Sequence, residues 1–152
     1  MAIYKRALGV CVLLLGSAFP ACAFTFSYGN LFDVSQVKNE NGAVMLPLAN
    51  GKYRNIKLLS KDVWQFIKQC RQDCTYEVTG ADFTCTDYRK AATREGMMIA
   101  EVEFNGEIQL TFLVFKNKEG FSVKFPADVQ FWDRKLAAQV RRRLQELAAQ
   151  IL

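Results

Sequence analysis

The stretch Met97-MIAEVEFNGEIQLTFLV-Phe115, continued by KNKEG (116–120) and FSVKF (121–125), decides the fold. Met98, Ala100 and Val102 alternate with Ile99, Glu101 and Glu103. Beyond Asn105-Gly106, the residues Ile108, Leu110, Phe112 and Val114 alternate with Glu107, Gln109 and Thr111. A period of two marks strands with one dry and one wet face. A two-residue Asn-Gly turn would pair Phe104 with Glu107 and put the apolar sets of the two strands on opposite faces. A three-residue loop, Phe104-Asn105-Gly106, pairs Val102 with Ile108, Ala100 with Leu110 and Met98 with Phe112, so that both sets share a face. Burial should force the second register, with Gly106 at positive φ and Val102 in the core.

Working outward, FTFSY (24–28) reads as a short strand at an edge. Phe32–Val37 and Ala43–Leu48 flank Asn41-Gly42 as a hairpin, and Tyr53–Leu59 follows Asn50-Gly51 as another strand. Pro47 places its strand at an edge or a bulge. Ser60 is a candidate N-cap for a short helix whose apolar face is Val63, Phe66, Ile67 and Cys70, ending near Gln72 or Asp73. Residues 87–95 suit a short helix or a loop equally. Pro126 ends the last strand, Asp128 is a candidate cap, and a helix of some 25 residues is expected to reach the C-terminus. Its stripe is Val129, Trp132, Leu136, Val140, Leu144, Leu147 and Ile151, widened by Ala137 and Ala148. Such a helix spans about 37 Å, against about 27 Å for an eight-residue strand, so its last turns should overhang. The expected architecture is α+β: an antiparallel sheet of six or seven strands, one short helix, and a long C-terminal helix on the apolar face.

Residues 1–23 have the pattern of a secretory signal peptide: Lys5 and Arg6, an apolar run from Ala7 to Phe19, then Ala21-Cys22-Ala23. Lipid attachment at Cys22 is a lesser alternative. Residues 24–152 are then expected to form one α+β domain in the periplasm or outside the cell. The formal charge of +5 falls to +3 without Lys5 and Arg6, which singles out no partner. The chain has no histidine. That excludes Ser-His-Asp and Cys-His catalysis, His-ligated zinc and histidine pH switching.

In an oxidising compartment two of Cys70, Cys74 and Cys85 should pair. A hairpin about Thr79-Gly80 would set Cys74 opposite Cys85, the favoured bridge; Cys70–Cys85 and Cys70–Cys74 are the alternatives. Glu101, Glu103 and Glu107 share the wet face of the central hairpin at spacings that would suit paired-carboxylate chemistry, although an open sheet face supplies no cleft. Arg141-Arg142-Arg143 fan out around a helix and do not form one nucleic-acid patch, and Glu146 can pair with Arg142 and Arg143.

The function expected from these features is that of an exported, non-catalytic protein-binding domain of adaptor or inhibitor type. Its contacts would be Phe24, Phe26 and Tyr28, with Arg141, Arg142, Ala148, Ile151 and Leu152 at the helix end. The partner would be another protein, or a second copy in a homodimer through the C-terminal helix. A small carboxylate-dependent hydrolase and a binder of anionic lipid or envelope surface through the basic helix are the alternatives. No cofactor, metal, nucleic acid or transmembrane segment after signal removal is expected.

Overall fold

A computed structural model describes residues 22–152. Apart from Cys22 and Ala23, the signal-peptide expectation lies outside the described residues. The elements are β1 (Phe24–Tyr28), β2 (Phe32–Glu40), β3 (Ala43–Met45), β4 (Leu48–Ala49), β5 (Tyr53–Arg54), β6 (Ile56–Leu58), α1 (Lys61–Gln69), β7 (Cys74–Tyr76), β8 (Phe83–Lys90), β9 (Met97–Phe104), β10 (Ile108–Asn117), β11 (Gly120–Lys124), β12 (Val129–Phe131) and α2 (Arg134–Ile151). The class is α+β, as expected, but the strands form several sheets, not one of six or seven. One sheet runs β12-β2-β1-β7, with β3 paired to β2. A second runs β11-β10-β9-β8, with β6 paired to β10, and β4-β5 stand as a separate two-stranded ribbon.

The central hairpin is β9-β10. Every residue of its predicted dry face from Met98 to Val114 is buried, Val102 included. The register differs by two residues from the expected one: Phe104 pairs with Ile108, Val102 with Leu110 and Ala100 with Phe112. A shift of two preserves the faces. The loop is Asn105-Gly106-Glu107. Asn105 and Gly106 both take left-handed φ, 52° and 66°, and the Glu107 amide donates to the Phe104 carbonyl at 2.9 Å. This is a primed two-residue turn with Glu107 as one extra residue. Phe104 is drawn into the ladder because its ring is fully buried.

That ring belongs to a seam joining the two sheets. Phe104 lies 5.3 Å from Phe32 and 5.7 Å from Phe131, and Phe131 lies 5.1 Å from Phe32 and from Phe125. Each such ring removes about 150–250 Å² from water and adds edge or offset contacts to its neighbours. The seam explains why the C-terminal helix starts later than its stripe suggested. Val129–Phe131 pairs with β2 as a strand, which delivers Phe131 to the seam. Asp128 therefore sits at φ 64° before a strand and does not cap a helix. Asp133 is the N-cap, its carboxylate accepting from the Leu136 amide at 2.9 Å. The helix has 18 residues, about 27 Å, so it matches the sheet and has no overhang. Leu136, Val140, Leu144, Leu147 and Ala148 are buried against the core, while Trp132 precedes the helix and is 55% exposed.

Helix α1 keeps its expected cap, Ser60 accepting from Val63. It stops at Gln69 because the Asn39 side chain of β2 donates to the carbonyls of Ile67 (2.7 Å) and Cys70 (2.9 Å), closing its C-terminal end. Residues 83–90, read partly as helix or loop, are strand β8 at the side of β9.

Candidate functional site

The N-terminal aromatics are interior. β1 lies between β2 and β7, not at an edge, and Phe24 is 4% exposed while Phe26 and Tyr28 are fully buried. The alternation of FTFSY was legible; its dry side is the aromatic one, so these residues present no contact surface. Ala148 is likewise buried, and Ile151 and Leu152 are half-buried against the core. Arg141 and Arg142 are exposed. The Arg141 guanidinium rests 5.1 Å above the Phe125 ring, and Arg143 pairs with Glu146 at 3.6 Å. The expected docking residues are therefore not brought together.

The bridge is Cys70–Cys74, not the favoured Cys74–Cys85. The hairpin about Thr79-Gly80 does not form. Cys74 opens β7, which pairs in parallel with β1, and Cys85 belongs to the other sheet. The bridge ties the end of α1 to β7 across a loop of four residues in sequence separation. Among the described residues, Cys85 carries a free thiol. Burial pushes its pKa upward, which leaves it a poor nucleophile at neutral pH.

The three carboxylates also separate. Glu101 and Glu103 stay on the outer face of β9, but the extra residue in the turn swings Glu107 toward the seam between the sheets. Tyr28 donates to Glu107 Oε1 at 2.5 Å and Tyr76 to Oε2 at 3.3 Å. Asn105 Nδ2 donates to the Tyr28 hydroxyl at 3.2 Å and to the Gly80 carbonyl at 2.8 Å. The Glu107 backbone carbonyl accepts from the Leu59 and Ser60 amides at the entrance of α1. One residue thus fastens β1, β7 and α1 to the central hairpin. Desolvation, reinforced by the hydrogen bond to Glu107, holds the Tyr28 hydroxyl well above its ordinary pKa; Tyr76 shifts the same way for the same first cause. Glu107 is a fastener, occupied by two phenols.

What the molecule leaves exposed lies elsewhere. Among the described residues, Met45, Leu48, Tyr53, Leu59 and Trp64 are five of the seven exposed large apolar side chains. Tyr53 is 64% exposed. They alternate with exposed cations: Lys52, Arg54, Lys57, Lys61 and Lys68. None of these five is in an ion pair among the described residues. In the β4-β5 ribbon, Leu48 sits opposite Arg54 and Ala49 opposite Tyr53. On α1, Lys61, Trp64 and Lys68 share the face away from Val63 and Ile67, and the Lys68 ammonium lies 4.8 Å from the Trp64 ring centre. Helix α1 packs against both β3 and β6, which brackets the ribbon and the helix in one part of the molecule. From Met45 to Arg71 the chain carries six cations and one carboxylate, Asp62, so this segment alone holds a charge equal to the formal +5 of the whole chain.

This surface was readable and missed. Trp64 falls off the Val63-Phe66-Ile67-Cys70 face of α1 with a lysine at i−3 and another at i+4. Two Asn-Gly pairs nine residues apart, with Pro47 between them, leave strands too short to be covered. Among the described residues no helix is long and apolar enough to cross a membrane. No protein-family model, curated protein or solved structure was found to match the chain.

Proposed function

We propose that the protein is an exported, non-catalytic docking domain that holds an acidic partner protein, as an adaptor or an inhibitor does. The observation that supports this reading is the interleaving of exposed apolar side chains with unpaired cations from Met45 to Lys68. Tyr, Trp and Arg are the residues on which binding energy concentrates at protein interfaces. A partner with carboxylates around an apolar recess would cover Tyr53 and Trp64 and answer Arg54 and the lysines, which would also speed encounter. The contact surface is the β4-β5 ribbon and the outer face of α1; it replaces the N-terminal aromatics and the helix end.

The test is retention of envelope proteins by the immobilised chain 24–152, compared with a Tyr53→Ala/Trp64→Ala variant of equal melting temperature. One acidic protein retained by the parent and released by the variant is the expected result. Equal retention by both, or capture of anionic vesicles and no protein, would remove the reading.

A further inference from the structure

We propose that the protein self-associates through the open edge of β8, which pairs with β8 of a second copy about a two-fold axis at Tyr88. A sheet edge presents backbone donors and acceptors that have no partner in the sheet. The second sheet ends in β11 on one side and β8 on the other. At β11 the Phe121 carbonyl accepts from Gln145 Nε2 of α2 at 2.8 Å, which closes part of that edge. The edges of the first sheet, β7 and β12, have three residues each. Strand β8 has eight, and Thr86 to Lys90 are all exposed. Among the described residues it is the longest open edge.

The register shows which groups face outward. Asp87, Tyr88, Arg89 and Lys90 lie opposite Glu101, Ala100, Ile99 and Met98. Just beyond the strand, the Ala91 amide donates to the Met97 carbonyl at 2.8 Å. Hydrogen-bonded and non-hydrogen-bonded pairs alternate along an antiparallel ladder. Arg89 and Asp87 therefore bond to β9, and the amides and carbonyls of Tyr88 and Lys90 point away from it. An antiparallel mate centred on Tyr88 receives these groups, with Tyr88 of each copy bonding Tyr88 of the other.

Charge selects that register. Asp87 and Arg89 project from the face of β8 opposite to Tyr88 and pair with each other. The Arg89 guanidinium also lies 3.9 Å from Glu101. With the axis at Tyr88, Asp87 of each copy stands opposite Arg89 of the other, at positions where facing side chains come closest. Moving the axis by one residue sets Asp87 against Asp87 or Arg89 against Arg89, and like charges directly opposite are destabilising. The edge is thus self-complementary in one register, as a two-fold contact requires. On the other face the two Tyr88 side chains, each 37% exposed, meet across the axis. The bulge between Cys85 and Asp87 bounds the ladder, so the contact belongs to the small, transient class. It uses none of the residues of the docking surface above.

The experiment is sedimentation equilibrium of the chain 24–152 from micromolar to submillimolar concentration. Self-association is expected. Arg89→Asp should weaken it at least about tenfold, because two symmetric pairs turn from attraction to repulsion. Asp87→Arg/Arg89→Asp exchanges the two charges and should restore it. Amide exchange of the unmodified chain keeps the test independent of how the variants fold. The Tyr88 amide should exchange fast in dilute and slowly in concentrated solution, while the Arg89 amide, already bonded to β9, should not change. A chain that stays monomeric, or a Tyr88 amide equally fast at both concentrations, overturns the proposal. So does an association that Arg89→Asp leaves intact, that the charge exchange fails to restore, or that Tyr53→Ala/Trp64→Ala abolishes.

Discussion

Two Asn-Gly hairpins with the same turn chemistry have opposite fates in this molecule. Asn105-Gly106 and Asn50-Gly51 adopt nearly the same left-handed angles, 52° and 66° against 53° and 69°. Beside the first, Phe104 is fully buried; beside the second, Tyr53 is 64% exposed. The residue after each glycine differs in the same way. Glu107 is held by two tyrosines, whereas Lys52 points its charge into water. The turn sets the hairpin, and what lies across the hairpin sets its energy. Strands β9 and β10 have eight and ten residues and face a second sheet. Strands β4 and β5 have two each and pair only with one another. A ribbon that short is marginal without covering layers, so the tether of the ribbon to β6 and β3 has to hold it in place.

The sharpest way to break the comparison is to remove the buried ring. Phe104→Ala should destabilise the fold by about 3–5 kcal/mol, the usual cost of deleting a core aromatic and leaving a cavity. Urea denaturation measures it. A cost below about 1 kcal/mol would mean that the seam of Phe32, Phe104 and Phe131 does not hold the sheets together.

The same contrast explains what could be read from the residues alone. The dry face of β9-β10, the capped helix at Ser60 and the turn glycines follow from local pattern, because period and capping are local properties. The partition into two sheets does not. It depends on Phe131 being worth more in the seam than in a helix stripe, and the sequence 129–132 suits both. Likewise the Cys74–Cys85 pairing presumed a hairpin that loses to parallel pairing of β7 with β1, a contact between segments 48 residues apart. The docking surface failed for a different reason. FTFSY shows which residues alternate, but whether its aromatic side is dry depends on whether another strand covers each edge. Exposed Trp64 between two lysines was the more local signal.

Replacing Glu107 tests the second half of the comparison. Glu107→Ala leaves the Tyr28 hydroxyl with only Asn105 and the distant Phe104 carbonyl as partners. A loss of about 2–3 kcal/mol is expected for a charged acceptor removed from a buried donor, against no more than about 0.5 kcal/mol for Lys52→Ala. Equal effects would show that the fastener contributes nothing. A pH series sharpens the point. The Tyr28 pKa is raised in the folded protein, above about 10 in the unfolded chain. The unfolded state therefore gives up its proton first. The contribution is complete below about pH 10 and is lost as the pH climbs toward the folded value, by up to about 1.4 kcal/mol per pH unit. Lysines titrate in the same range, so the comparison is with Tyr28→Phe, whose stability should fall less steeply between pH 10 and 11. Parallel profiles would assign the alkaline loss to other groups.

The smallest expected effect carries the most information about the ribbon. Tyr53→Ala should change stability by no more than about 0.5 kcal/mol, because a side chain left in water on both sides of the folding equilibrium has little to lose. A larger loss would mean that Tyr53 packs on its own molecule and that the exposed face is partly closed. A near-zero change has a further consequence. Exposed aromatic surface is not stabilising, and a β-ribbon residue flanked by Lys52 and Arg54 could be polar without cost to the fold. A fold-neutral residue whose loss abolishes partner capture separates docking from stability at one position, which the buried residues of the Asn105-Gly106 hairpin cannot do.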